Sequence, residues 1–369
     1  MHNDSGHDQF AQSLRENVPL APMTTLGIGG PARFFADCAS VAALAAGVAW
    51  ARANALPVFV LGGGSNLVVA DKGFAGLVLR VAIRGIEARV DDDDAIITAG
   101  AGEEWDAFVA YTIKANLAGL ECLSGIPGRV GATPMQNVGA YGQETSETLQ
   151  SVEALDLDTG DLTRFDQSEC EFGYRASRFK GRDKGRYVIT RVSYRLKPDG
   201  TPAVRYAELQ RTLAENGATA PTLAQVRDAV IAIRRRKAMV IDPTDTDSRS
   251  VGSFFMNPLV TEEAFERIRS TAARFIQITE AMPMFPSPDH RVKLSAAWLI
   301  ERAGIHRGTV HGNVGTSTKH ALAIINRGNG TAREVLELCG IIQSRVREAF
   351  GVELTPEPVF VGFDGTNQN

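Results

Sequence analysis

Long apolar runs are missing from this chain, and no window of its 369 residues approaches the roughly 18 uninterrupted apolar residues of a membrane-spanning helix. An integral helical membrane protein is therefore excluded, and no membrane partner is expected. Cysteine is scarce: Cys38, Cys122, Cys170 and Cys339 are widely spaced with no CxxC pair, so neither a zinc site nor a disulfide framework is expected and the four read as small buried hydrophobes. Histidine is scarcer where chemistry concentrates, because His2, His7, His290, His306, His311 and His320 leave the glycine-rich region without one. A formal net charge of −4 gives no general attraction to nucleic acid or anionic lipid, so any anion site must be local. The polar, acidic start lacks the charged-then-apolar layout of a secretory signal, which predicts a cytoplasmic location. There is no internal repeat and no low-complexity block.

With 44% hydrophobic and 22% charged residues the composition is that of a globular chain long enough for two or three domains. Residues 1–17 and 364–369 read as polar tails. From Asp37 to Leu56 apolar residues recur at helical spacing, and Leu56–Leu61 then reads as a buried strand running into glycines. Strands are predicted at Gly76–Arg80 and Ala95–Ala99, a helix at Trp105–Asn116, and antiparallel strands between Ser151 and Leu196. The turn chemistry of Lys197–Pro202 marks the best domain boundary. Beyond it, Leu223–Lys237, Glu262–Ile276, Ala296–Ala303 and Ala332–Phe350 read as amphipathic helices, interleaved with strands such as Ala321–Ile325. Asp91–Asp94 reads as a solvated acidic turn.

Glycine lets backbone N–H groups approach a phosphate without an intervening side chain. Four glycine clusters lie within the first 131 residues: 27–30, 62–64, 100–102 and 125–131. Together they form a candidate pyrophosphate cradle, with Gly62, Gly63, Gly64, Ser65 and Asn66 directly after a strand. None has the spacing of a Rossmann or Walker loop, which disfavours both. The following stretch, Gly125 to Gly142, mixes turn formers with amides and a hydroxyl; Thr133, Gln136 and Asn137 are candidates to bond a polar heterocycle, or the stretch is simply a loop. Arg175, in an aromatic and cationic stretch, suits a bidentate carboxylate clamp, although a surface arginine reads the same way. Ser253 follows a glycine and precedes two phenylalanines, and Glu357 is held between two prolines.

Read together, these stretches resemble the UDP-N-acetylenolpyruvoylglucosamine reductase family over nearly all of residues 18–363. The resemblance rests on Leu26-Gly-Ile-Gly-Gly30, Leu61-Gly-Gly-Gly-Ser-Asn-Leu67, Gly119 to Gly142, Phe172-Gly-Tyr-Arg-Ala-Ser-Arg-Phe-Lys180, Gly252-Ser-Phe-Phe-Met-Asn-Pro258 and Lys293-Leu-Ser-Ala-Ala-Trp-Leu-Ile300. It implies an α+β fold: a FAD-binding module of the vanillyl-alcohol-oxidase (PCMH) type in two subdomains, 18–85 and 86–200, and an α+β substrate-binding domain, 201–363. Val204–Leu209 looks like the mobile tyrosine loop of the family's longer subtype.

The same resemblance implies non-covalent FAD, NADPH as co-substrate, a UDP-sugar substrate and action as a monomer in peptidoglycan precursor synthesis. It places FAD on Gly62–Asn66 and on Gly125, Gly128, Gly131, Thr133, Gln136, Asn137, Gly139 and Ala140. Arg175 and Glu357 are expected to flank the substrate carboxylate, Glu357 protonated or sharing a proton, while Ser253 gives a proton to the alpha carbon. Tyr174, Tyr206, Lys237, Asn257 and His320 are expected to hold the sugar nucleotide. Two departures stand out: Pro358 where the family commonly has valine, and extra length in Asp242–Arg249 that threatens to draw Lys237 away. A flavin oxidase with the same module and a nucleotide-sugar binding protein without turnover are the competing readings. Cys122 is the one candidate for a covalent flavin tether outside the tail, since the other candidates, His2 and His7, lie within it.

Overall fold

Burial of Ala32, Phe35, Ala36 and Cys38 along Pro31–Cys38 builds the first sheet, and the computed structural model describes residues 10–90, 93–276, 282–286 and 291–363. Strands β1 (Arg15–Pro19) and β2 (Pro31–Cys38) pair antiparallel. Ser40 then caps helix α1 (Val41–Ala53), its hydroxyl accepting the Ala43 N–H at 3.2 Å. The chain returns through β3 (Val58–Leu61), β4 (Leu67–Val69) and β5 (Phe74–Val81). The sheet order is β1-β2-β5-β3, with β5 parallel to both β2 and β3.

Two expectations are corrected here. Residues 10–17 are not a tail: Phe10 is buried with its ring 6.4 Å from Trp50, and Arg15 and Glu16 pair with Phe35 and Phe34. The helix expected from Asp37 starts at Val41, because Asp37 and Cys38 complete β2. Residues 1–9 and 364–369, with His2 and His7, lie outside the described residues, as do Asp91, Asp92 and His290.

A second sheet is antiparallel throughout. It contains β6 (Ile86–Val90), β7 (Ala95–Gly100), β8 (Leu117–Ala118), β11 (Leu149–Asp156), β12 (Leu162–Asp166) and β13 (Tyr187–Pro198), in the order β12-β11-β13-β7-β6 with β8 on β13. Between β7 and β8, helix α2 (Trp105–Lys114) packs Trp105 and Phe108 on Tyr194 of β13, with centroids 5.9 and 5.4 Å apart. The short β9 (Gly139–Ala140) and β10 (Gln143–Glu144) form a hairpin.

Helices α3 (Ala207–Glu215) and α4 (Leu223–Arg236) follow the predicted boundary but pack back on Cys122, burying Leu209, Leu213, Val226, Val230 and Ile233. They thus share a core with the 121–123 turn, whereas the rest of the C-terminal half has its own. That core collects Phe254, Phe255, Leu299, Ile300, Ile324, Val335 and Ile342. It is enclosed by β14 (Leu259–Val260), α5 (Glu262–Ile276), β15 (Met284–Pro286), β16 (Val292–Leu294), α6 (Ala296–Arg302), β17 (Val310–His311), β18 (Val314–Thr316), β19 (Ile324–Asn326) and α7 (Ala332–Phe350). The strand expected at Ala321–Ile325 begins only at Ile324, since Ala323 N–H closes a turn on His320 O. Last, β20 (Val359–Val361) returns to pair parallel with β4. That return carries Glu357 to the N-terminal lobe.

Candidate active site

A cavity of about 1630 Å³ runs between the two sheets and the C-terminal lobe. One end is made by the turn from β3 to β4. Gly64 there has φ +66°, and a Cβ on it would lie 1.9 Å from Met23 O. A Cβ on Gly63 would lie 2.6 Å from Gly128 Cα, so the two glycine loops stand back to back. Ser65 Oγ crosses between them to Pro127 O at 3.0 Å. Among the described residues, the backbone N–H groups of Gly62, Gly63, Gly64, Ser65 and Asn66 meet no hydrogen-bond acceptor of the chain, and all five residues line the cavity. A row of free amides, the first three on glycines with no Cβ in the way, is the donor set a pyrophosphate requires. The turn therefore fits a dinucleotide cofactor such as FAD.

Of the second loop, Gly128, Gly131, Thr133, Gln136, Gly139 and Ala140 reach the cavity, and Gly125 and Asn137 do not. Gly125 turns its N–H to Asp106 Oδ1 at 2.6 Å. Asn137, at φ +47° and 1% exposure, gives Nδ2 to Glu144 Oε2 at 2.8 Å and Gly173 O at 3.2 Å, while its Oδ1 takes the Ser146 N–H at 3.0 Å. The Thr133 hydroxyl is shared between Val130 O at 2.8 Å and the Tyr194 hydroxyl at 2.7 Å. The Asn137 and Thr133 side chains thus brace the loop, Thr133 on the cavity wall and Asn137 behind it. Their polar atoms are already satisfied within the chain.

Arg175, Ser253 and Glu357, distant in sequence, all line the cavity. Glu357 N–H bonds Phe254 O at 2.9 Å and Phe255 bridges Pro356, which sets Ser253 beside the Glu357 segment. Arg175, itself at φ +54°, approaches Glu357 Oε1 with Nε at 3.2 Å and donates Nη2 to Gly139 O at 2.9 Å. Gln136 Nε2 donates to the same Glu357 oxygen at 3.0 Å. Its own Oε1 takes Asn66 Nδ2 at 3.3 Å and Lys180 Nζ at 3.4 Å, which fixes the orientation of the amide. Both donors thus meet the same carboxylate oxygen, Oε1.

Tyr174 lies between the Arg175 guanidinium, 5.3 Å from its ring, and Lys293 Nζ, 4.7 Å away. Burial raises the Tyr174 phenol and lowers the ammonium groups of Lys180 and Lys293 from their ordinary values. Sequence reasoning assigned no role to Lys180, Lys293, Tyr141 or Arg234, all of which line the cavity. Lys180, Lys293 and Tyr141 stand inside the quoted family stretches, and that was the available signal. Arg234 is 8% exposed yet sits in an Arg-Arg-Arg-Lys run that reads as a solvated helix end.

At the other end Tyr206 meets Tyr141 edge-on, centroids 5.6 Å apart, and Lys237 Nζ bonds Glu208 Oε2 at 2.6 Å. His320 faces the same space. Burial, reinforced by Lys237 and Arg307, pushes its imidazole down to about 4, so the ring is neutral near pH 7. Asn257 also lines the wall, but its Oδ1 caps α6 by taking the Ala296 N–H at 2.9 Å. The long Asp242–Arg249 segment does not draw Lys237 away. Asp247 Oδ2 accepts the Thr318 N–H at 3.1 Å and Asp245 Oδ2 takes Lys319 Nζ at 2.5 Å, so the segment ties the Lys237 and His320 loops together.

Residues 242–361 match the UDP-N-acetylenolpyruvoylglucosamine reductase C-terminal domain, and residues 32–166 match an FAD binding domain. A UDP-N-acetylenolpyruvoylglucosamine reductase of Thermobifida fusca is 48% identical over 95% of this chain and 98% of its own. The chain belongs to the UDP-N-acetylenolpyruvoylglucosamine reductase family. The Nocardia farcinica reductase is 46% identical over 95% of this chain and 90% of its own length. The crystal structure of the Thermus caldophilus reductase superposes with a TM-score of 0.63 at 27% identity, covering 95% of this chain and all of that one. Membership in the reductase family disfavours the oxidase reading, and the Cys122 tether finds no support. Cys122 is buried, donates Sγ to Ala203 O at 2.9 Å, and has its thiol pushed up to about 12 by burial.

Proposed function

We propose that this chain reduces the enolpyruvyl group of UDP-N-acetylglucosamine enolpyruvate to give UDP-N-acetylmuramate, using NADPH and non-covalently bound FAD. It acts as a cytoplasmic monomer in peptidoglycan precursor synthesis. The observation that carries this reading is the convergence of Arg175, Ser253 and Glu357 on one cavity whose far end offers a row of free backbone amides. FAD, when bound, supplies the redox step between nicotinamide and alkene. Gly62–Asn66 would hold its pyrophosphate, and Gly128, Gly131, Gln136, Gly139 and Ala140 would flank the rest.

The chain's own work is electrostatic and acid–base. As the carbon beta to the carboxylate gains hydride, negative charge spreads onto the substrate carboxyl, and the Arg175 guanidinium, anchored at Gly139 O, is pre-placed to take it. Glu357, paired with Arg175, borders the same carboxyl. The Ser253 hydroxyl protonates the alpha carbon as general acid, and neighbouring polar groups restore its proton. Tyr206, Lys237 and His320 hold the nucleotide half, with Tyr174 and Asn257 between. Because the cavity serves both NADPH and the sugar nucleotide, one leaves before the other binds.

The test is direct: the purified protein is expected to be yellow, to release free flavin on denaturation, and to oxidise NADPH beyond one equivalent of bound flavin only with the enolpyruvyl substrate present. A colourless protein indifferent to FAD, or sustained NADPH turnover independent of that substrate, ends the proposal.

A further inference from the structure

The segment that enters α3 is tied to the cavity wall at three points. Arg205 Nη1 pairs with Glu147 Oε2 at 2.8 Å, the Tyr206 ring meets Tyr141, and Glu208 holds Lys237 at 2.6 Å. The third tie differs from the others. Lys237 lies on the wall, whereas Glu208 stands behind it and does not reach the cavity. Among the described residues, Glu208 is the one hydrogen-bond acceptor that Lys237 Nζ meets. It lies in the first turn of α3, where the helix dipole favours a carboxylate.

We propose that Glu208 is a positioning residue that acts as a standing counter-anion for Lys237. It competes with each incoming diphosphate and so keeps either ligand from binding too tightly for the other to replace it. The proposal rests on the reading above, in which two anionic ligands occupy one cavity in turn. The side chains of Lys237 and Glu208 are 31% and 30% exposed, a degree at which an ion pair is cheap to break and remake. A ligand phosphate arriving at Nζ regains most of what the pair loses, but it also meets the residual field of the Glu208 carboxylate. That field acts on substrate, product and nicotinamide dinucleotide alike, so it changes residence rather than chemistry.

The experiment is titration calorimetry of the FAD-loaded protein with UDP-N-acetylglucosamine and, separately, with inorganic pyrophosphate, in wild type, Glu208→Gln and Glu208→Asp. Glu208→Gln is expected to tighten both probes by about two- to fivefold at low ionic strength, the gain shrinking as salt is raised, and Glu208→Asp to return toward wild type. In turnover the KM of Glu208→Gln falls by a similar factor and kcat does not rise. On a Lys237→Met background Glu208→Gln is expected to have a clearly smaller effect, since only the direct field remains to be relieved. Unchanged or weaker binding in Glu208→Gln, or an equal gain without Lys237, overturns the proposal. Pyrophosphate responding as expected while the UDP-sugar fails to bind keeps the counter-anion and removes the substrate reading. Binding of neither probe removes both.

Discussion

At Glu357 three stretches of chain meet: Asn66 from the glycine turn bonds its carbonyl at 3.2 Å, Gln136 its carboxylate, and Phe254 its amide. Arg175 completes the group from a turn in which a non-glycine residue holds φ +54°, a conformation that costs about 1 kcal/mol or more and that the surrounding contacts must sustain. Such a side chain is fixed before substrate arrives. Arg175→Lys keeps the charge and loses the planar fork, and is expected to cut the rate of the second half-reaction by about a hundredfold with the cavity intact. Ser253→Ala is expected to retain flavin reduction by NADPH while the second half-reaction falls by about 10²- to 10⁴-fold. Single-turnover absorbance of each half-reaction separates the two, and loss of the first half-reaction in Ser253→Ala removes the proton-donor role. The local stretches offered these three residues as candidates beside a bland reading of each, and it was the family resemblance that joined them and gave them their roles. Thr133 and Asn137 show what local sequence leaves open: a hydroxyl or amide reads the same whether its partner is a ligand or, as with Tyr194 and Glu144, another residue of the chain.

The turn from β3 to β4 has two kinds of glycine, and they make different predictions. Gly64 needs its conformation, since φ is +66° and a Cβ would strike Met23 O. Gly62 has neither constraint; a Cβ there meets only the Ala132 methyl at 3.9 Å. Gly64→Ala is therefore expected to cost about 2–4 kcal/mol in urea unfolding and to lose FAD. Gly62→Ala is expected to unfold within about 0.5 kcal/mol of wild type while binding FAD more weakly, because the new methyl intrudes only on the cavity. Equal FAD affinity in Gly62→Ala would mean that the amide row is not the pyrophosphate site. The run of glycines after a buried strand was legible as a turn of this kind. So was α7, where Thr331 and Glu334 form a capping box at the start of an amphipathic helix expected over the same residues. Strand β2 was not, because its Phe34–Phe35 pair breaks simple alternation and the helical pattern downstream runs back into its end.

The two lobes are joined by contacts that no local pattern announces. Asp71 caps α7 from 261 residues away, taking the Ala332 N–H at 2.7 Å, and Thr25 donates to Ser250 O at 2.6 Å. With β20 paired to β4, these place the nucleotide end of the cavity, including His320, against the N-terminal lobe. Its imidazole stays neutral there because burial and the neighbouring cations oppose protonation. In the unfolded chain it titrates at its ordinary 6.5, and in the folded chain at about 4. Above pH 6.5 neither state binds the proton and His320 has no effect on stability. As pH falls from 6.5 toward 4 only the unfolded state gains the proton, so folding stability is lost at about 1.4 kcal/mol per unit, about 2 kcal/mol by pH 5, and the loss levels off below 4. Urea unfolding of the FAD-loaded protein at pH 7 and pH 5 measures it. His320→Asn, which has no proton to gain, is expected to lose about 2 kcal/mol less than wild type between those two values. An identical loss in the variant would place the acid sensitivity elsewhere and leave the imidazole exposed to water rather than held neutral on the cavity wall.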